Sequence, residues 1–157
     1  MPDPVVRLVS TADVDVICAQ RRLLFLEDGR APELLDRAEA PFRSWLLSRL
    51  RSGQYAGWLV EEEGRAFAGC GLMFMDWAPG PSHPESDRRG LVLNLWVAPE
   101  RRGQGWGRRL MKKVEEEARA RGVHYLVLHA SKLGRGLYEK LNWRPTNEMA
   151  LVLSPEA

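Results

Sequence analysis

Between residues 91 and 121 the chain runs through a strand, a glycine-rich turn and a helix, and this junction limits the folds open to it. Leu91-Val92-Leu93-Asn94-Leu95-Trp96-Val97 reads as a buried strand, and Ala98-Pro99-Glu100 ends it. Arg101-Arg102-Gly103-Gln104-Gly105-Trp106-Gly107 then leads into Arg108-Arg109-Leu110-Met111 and a helix running to about Gly122. Glycines bare the backbone N–H groups of such a turn. The first turn of the helix adds unpaired N–H groups at the positive end of its dipole. Together they make an anion site suited to a diphosphate. The glycines alone are equally consistent with an exposed strand-to-helix connection. Spacing separates this turn from other nucleotide loops. A Walker loop needs G-x-x-x-x-G-K-[ST], for which Gly103 and Gly105 find no partner. In the dinucleotide pattern G-x-G-x-x-G the third glycine would come one residue later than Gly107. That pattern also opens the first βα unit of its fold, whereas this turn lies late in the chain.

The stretch Arg102-Gly103-Gln104-Gly105-Trp106-Gly107 resembles motif A of the GNAT superfamily of N-acetyltransferases, Q/R-x-x-G-x-G/A following a strand. The approach Val97-Ala98-Pro99-Glu100-Arg101-Arg102-Gly103 is similar to the lead-in V-x-P-x-x-R-G, and Leu137-Tyr138-Glu139-Lys140-Leu141-Asn142-Trp143 to the LYEKLGF segment. Asn142 and Trp143 depart from the Gly and Phe of that segment. The resemblance is strong over about residues 90–145 and reaches the N-terminal half only through the order of elements.

Strands are expected at Val5–Val9, Gln54–Glu62, Ala66–Met75, Leu91–Val97, Val123–His129 and Met149–Leu153. Helices are expected after the cap at Ser10 or Thr11 as far as Gly29, from Pro32 to about Leu50, after the glycine turn, and over Gly134–Leu141. The order β-α-α-β-β-β-α-β-α-β predicts an α+β, mixed α/β layer with both sheet faces covered. It is GNAT-like; the resemblance implies a mostly antiparallel central sheet whose strands splay at the cofactor cleft. The Pro- and Gly-rich segment from Asp76 to Arg89 reads as an exposed loop and a candidate lid over the acceptor.

A length of 157 residues fits a single domain over 1–157. No apolar run approaches the ~20 residues of a membrane span, and the start Met1-Pro2-Asp3-Pro4 has no leader character, so a cytoplasmic location without membrane attachment is expected. Cys18 and Cys70 are isolated and read as small buried hydrophobes. His83, His124 and His129 lack ligand spacing, so no metal is expected. The net charge of +2 points to no nucleic acid, although Arg101, Arg102, Arg108, Arg109, Lys112 and Lys113 cluster at the turn. That cluster is either a solvated helix face with Glu115, Glu116 and Glu117 or an attractor for a polyanionic cofactor.

The resemblance implies acetyl-CoA as cofactor and transfer of its acetyl group to a primary amine of a small molecule or a protein. Its diphosphate is assigned to the backbone from Arg102 to Arg108, through Gly103, Gln104, Gly105, Trp106 and Gly107, where a Cβ would obstruct close approach. Its pantetheine arm is assigned to Leu95, Trp96 and Val97, with the Leu95 N–H as oxyanion donor. Tyr138 is the implied general acid for the leaving thiolate; as a neutral hydroxyl it can also simply pack into the core. Ser131 either contacts the cofactor or caps the following helix, and Arg135 is a further cofactor candidate. The strand before the turn carries no carboxylate. Asn94 can orient a water or the amine, and Glu27, with Asp28 beside it, is the best acidic candidate. Trp45, Trp58, Trp77 and Trp96 line an acceptor pocket or fill the core. Many members of the superfamily pair, which makes a homodimer an expectation. A non-catalytic acyl-CoA-binding or sensing module is the alternative.

Overall fold

The computed structural model describes residues 2–153. Strand β1 (Val5–Leu8) is followed by a 3-10 turn (Thr11–Asp13), helix α1 (Val14–Glu27) and helix α2 (Pro32–Ser52). Strands β2 (Tyr55–Glu62), β3 (Arg65–Asp76) and β4 (Arg88–Val97) come next, then a 3-10 turn (Pro99–Arg101), helix α3 (Trp106–Ala120), strand β5 (Leu126–Leu128) and helix α4 (Arg135–Lys140). The sheet has five strands in sequence order; β1 to β4 are antiparallel and β5 runs parallel to β4. The α+β class and the element order through α4 agree with the sequence.

Local chemistry explains the boundaries. Ser10 accepts from the Ala12 N–H while Asp13 accepts from the Ser10 N–H, a capping box that starts the first helical segment. Pro32 stands at the first position of α2, and Gly53 ends that helix in the left-handed region at φ 74°. Two differences from expectation stand out. Strand β5 begins at Leu126 because Val123 turns inward instead, 1% exposed, with its N–H on the Ala118 carbonyl. Met149–Leu153 has the composition of a strand but pairs with nothing among the described residues; Met149 and Val152 are over nine-tenths exposed. At that end of the sheet the edge is β5, three residues long.

Adjacent strand residues face opposite sides, and the core divides accordingly. Val92 and Phe74 join the cluster under α3, where Leu110, Met111 and Val114 are fully buried. Their neighbours Leu93 and Met73 join the cluster under α1 and α2 around Ile17, Leu46 and Tyr55. Both sheet faces are thus covered. Cys18 and Cys70 are buried free thiols, one in each cluster. The tryptophans do not form one pocket: Trp58 lies in the α3-side core, Trp45 packs against Phe42 and Tyr55, and Trp77 is exposed beneath Arg89.

Two irregularities shape the centre of the sheet. Gly69 pairs with Trp96 and Gly71 with Leu93, so β4 carries one extra residue between those pairs. Asn94 takes up that bulge at φ 59°, a left-handed conformation that asparagine tolerates better than most residues. The second is the parallel ladder, which ends at the pair Val92 and Leu128 while β4 continues to Val97. The two strands therefore part at the bulge.

Candidate active site

A cleft of about 500 Å³ opens where β4 and β5 part. Its walls are the end of α1 (Leu24, Glu27, Asp28), the free run of β4 (Leu95, Trp96, Val97), the glycine-rich turn with the start of α3, and the segment leading into α4. Of the residues singled out in the sequence it gathers Glu27, Leu95, Trp96, Val97, Arg102, Gly103, Gly105, Trp106, Gly107, Arg108, Ser131 and Tyr138. It leaves out Gln104, Arg135 and Asn94. Gln104 turns back to accept from the Trp106 indole at 3.3 Å. Arg135 pairs with Glu139 along α4. Asn94 is buried behind the strand, its Nδ2 donating to the Tyr55 hydroxyl at 3.2 Å and its Oδ1 accepting from Arg21 at 2.7 Å.

The turn has the conformation that the glycines permit. Gly103 and Gly105 sit at φ 76° and 85°, and the space where their side chains would stand is open. Gly105 is the N-cap of α3, with no side chain to satisfy the first amides of the helix. Those amides and the dipole of a 15-residue helix point out of the turn. Gly107 also faces α4: a Cβ there would lie 2.8 Å from the terminal Cδ2 methyl of Leu137, which would have to shift.

The basic cluster resolves into paired and unpaired charges. Lys112 and Lys113 lie near Glu116 on the outer face of α3, Arg101 pairs with Glu62, and Arg109 stacks over the Trp106 ring at 4.6 Å. Arg102 donates to the Val97 carbonyl and to Glu27 at 2.6 Å. Among the described residues Arg108 lines the cleft without an ion-pair partner.

The carboxylates at the end of α1 are engaged rather than free. Glu27 Oε1 accepts from the Trp96 indole at 3.0 Å and Oε2 from Arg102, while Asp28 accepts from the Lys132 N–H at 3.3 Å. Together they fasten α1 to the strand, to the turn and to the segment before α4. Ser131 does two things at once: it faces the cleft and accepts from the Gly134 N–H at 3.1 Å.

Tyr138 packs its ring against Gly134 and Trp143 yet still lines the cleft, and its hydroxyl makes no side-chain hydrogen bond among the described residues. Burial, with the Cys70 thiol nearby, pushes the phenol well above its ordinary value, so it remains a proton donor. The segment 77–87 contributes nothing to the cleft wall. His83 stacks on Tyr125 at 4.8 Å and Arg89 covers Trp77 at 3.4 Å, which anchors the segment at the starts of β4 and β5. As a lid over this cleft the expectation is corrected: the strands carry that segment to the other end of the sheet.

The match to a known family spans residues 21–143, from α1 through the end of α4, and the family is described as the Acetyltransferase (GNAT) family. The chain belongs to the GNAT acetyltransferase family. A GNAT-type structure from Ralstonia eutropha JMP134, a GCN5-related N-acetyltransferase, superposes with a TM-score of 0.93 at 42% identity over 96% of this chain and 99% of its own. A predicted acetyltransferase from Clostridium acetobutylicum, solved with acetyl-CoA, shares the fold at a TM-score of 0.90 and 23% identity, covering 96% of each chain. An IAA acetyltransferase of Azospirillum brasilense is 36% identical over 70 residues, which are 45% of this chain and 40% of that relative. Arg21 and Tyr55 carry no motif, and only their contacts with Asn94 tie them to the strand that walls the cleft.

Proposed function

We propose that the chain is an acetyl-CoA-dependent N-acetyltransferase that moves the acetyl group to a primary amine by direct attack on the thioester. The observation that carries this reading is the meeting, in one cleft, of the open glycine turn at a helix start, the unpaired edge of β4 and a protonated tyrosine. The acetyl-CoA in the Clostridium acetobutylicum relative supports the choice of ligand.

The roles follow from the chemistry. The amides from Arg102 to Arg108 receive the diphosphate, with Arg108 as the unpaired charge beside them. The β4 edge at Leu95–Val97, unpaired beyond the end of β5, takes the pantetheine amides as an added strand. The Leu95 N–H stabilises the oxyanion. The acceptor nitrogen attacks the thioester carbonyl carbon; the C–N bond forms and the C–S bond breaks. Tyr138 gives its proton to the leaving sulfur, and the proton released by the nitrogen returns the phenol to neutrality through solvent. The acceptor reaches the site as free amine, so Glu27 serves as an anchor of the cleft.

The domain extends over residues 1–157. The two buried free thiols fit a reducing, cytoplasmic setting, and the exposed Met149, Leu151, Val152 and Leu153 fit a homodimer that covers them.

Calorimetric titration of acetyl-CoA into the wild type and into Gly105→Glu tests the reading. Binding in the micromolar range, lost in the variant, supports it; no binding to the wild type overturns it. The non-catalytic sensing module draws on the engagement of Glu27. It requires cofactor binding with no turnover across an amine panel, and unchanged behaviour in Tyr138→Phe.

A further inference from the structure

Arg21 is a half-buried guanidinium with no carboxylate. It projects from α1 one turn before Leu24, which lines the cleft. Its carbon Cζ lies 4.7 Å from the centre of the Phe25 ring and 4.1 Å from that of Phe42. The two rings hold the charge by cation–π attraction, and Nη1 is fixed on Asn94 Oδ1 at 2.7 Å. Asn94 is fixed in turn by Tyr55, whose buried phenol passes beneath Gly71.

The charges around Arg21 are spent elsewhere. Arg22 pairs with Asp36, and Arg43 with Asp15 and Glu39. Glu39 shares the hollow between α1 and α2 with Arg21 yet reaches to Arg43 at 3.8 Å. Among the described residues no Asp or Glu lies at ion-pair distance from Arg21. Burial disfavours its charged form, and the titratable groups that act on it are the Tyr55 phenol and the Cys18 thiol, both held as neutral acids.

A guanidinium has five N–H donors, and Asn94 uses one. Taking a charge partly out of water without a partner is costly. An arginine held between aromatic rings with its fork unspent matches a planar carboxylate, which it binds in bidentate fashion. A single cation also suits a monoanion better than a phosphate. Asn94 immediately precedes Leu95, the donor assigned to the oxyanion, so Arg21 is fastened to the strand residue next to that donor, from the hollow it shares with Phe25 and Phe42 between α1 and α2.

We propose that Arg21 receives a carboxylate of the acceptor, and that the substrate is a carboxylate-bearing primary amine such as an amino acid. This specificity rests on the acetyltransferase reading above. Asn94, Phe25 and Phe42 act as positioning residues for the guanidinium.

The test compares matched acceptors, a set of amino acids and their carboxamides, with CoA release normalised to the free-amine concentration. Acetyl-CoA binding is titrated in the same samples. The expected result is a preference in kcat/KM for the carboxylate members of about tenfold or more. Arg21→Gln abolishes that preference, Arg21→Lys restores part of it, and acetyl-CoA affinity is unchanged in both. Equal use of both members, or a preference that survives Arg21→Gln, overturns the proposal. So does acetyl-CoA binding with no carboxylate member turned over, an outcome that leaves the cofactor reading intact. Failure to bind acetyl-CoA overturns the acetyltransferase reading and the proposal with it.

Discussion

Arg102 Nη2 lies 2.6 Å from Glu27 Oε2, so the glycine-rich turn is tied to the end of a helix 75 residues earlier in the chain. Both side chains are partly exposed, at 37% and 25%, which places the pair among those worth about 1 kcal/mol or less. Its effect on the cofactor is larger in principle, because the Glu27 charge both repels a diphosphate and occupies the arginine.

Glu27→Gln is therefore expected to tighten acetyl-CoA binding by roughly two- to fivefold, while the amide oxygen still accepts from the Trp96 indole. Calorimetric titration and a melting curve measure the two effects. Weaker binding in the variant would show instead that Glu27 positions Arg102 for the cofactor.

Tyr138→Phe is expected to lower kcat by roughly 10² or more with acetyl-CoA affinity retained. Because burial raises the phenol above its ordinary value of 10.0, the wild type should keep its acid function across the alkaline range up to that value. A wild-type alkaline limb near neutral pH that vanishes in the phenylalanine variant would contradict the role.

Stability should fall from about pH 9 upward. Cys70 is pushed by burial from 9.0 up to about 12, and Tyr55 and Tyr138 are raised from 10.0. In each case the folded group holds its proton where the unfolded group loses it. Below the unfolded values both states are protonated and the contribution is complete. As pH rises through them the unfolded state sheds protons first, and stability declines toward the folded values. Urea melts between pH 7 and pH 11 read this, and Cys70→Ala should flatten the first part of the decline. A constant midpoint over that range would show that the thiol and phenols ionise in the folded state.

Gly71→Ala should cost on the order of 1–3 kcal/mol, since its Cβ would stand 2.0 Å from the Tyr55 hydroxyl oxygen. Tyr55→Leu alone leaves Asn94 without its partner. The double variant should be less destabilised than the sum of the two, because removal of the phenol relieves the clash. Additive losses in chemical denaturation would place the strain elsewhere.

Much of the cleft was legible in the sequence because its chemistry is local. Gly103 and Gly105 must take positive φ to bare the amides of the turn, and the strand before them and the helix after them follow from periodicity within a few residues. The order of elements through α4 came from the same short-range signals. Gly107 shows their limit: a side chain there would crowd the terminal methyl of Leu137 on α4, a contact that the spacing of the motif does not reveal.

Tertiary structure decided which charges are free and which are spent. Arg21 meets Asn94 across 73 residues and Asn94 meets Tyr55 across 39, so no window of sequence contains their chain of hydrogen bonds. Lys112 and Arg108 are equally basic in sequence, yet one lies beside Glu116 and the other faces the cleft. The apolar stretch at Met149–Leu153 reads as a strand, but a strand exists only where it is paired with another, and among the described residues this stretch is paired with none. Backbone conformation and hydrophobic period are properties of neighbouring residues. The pairing of charges, the parting of β4 from β5 and the exposure of an edge are properties of distances that only the folded chain sets.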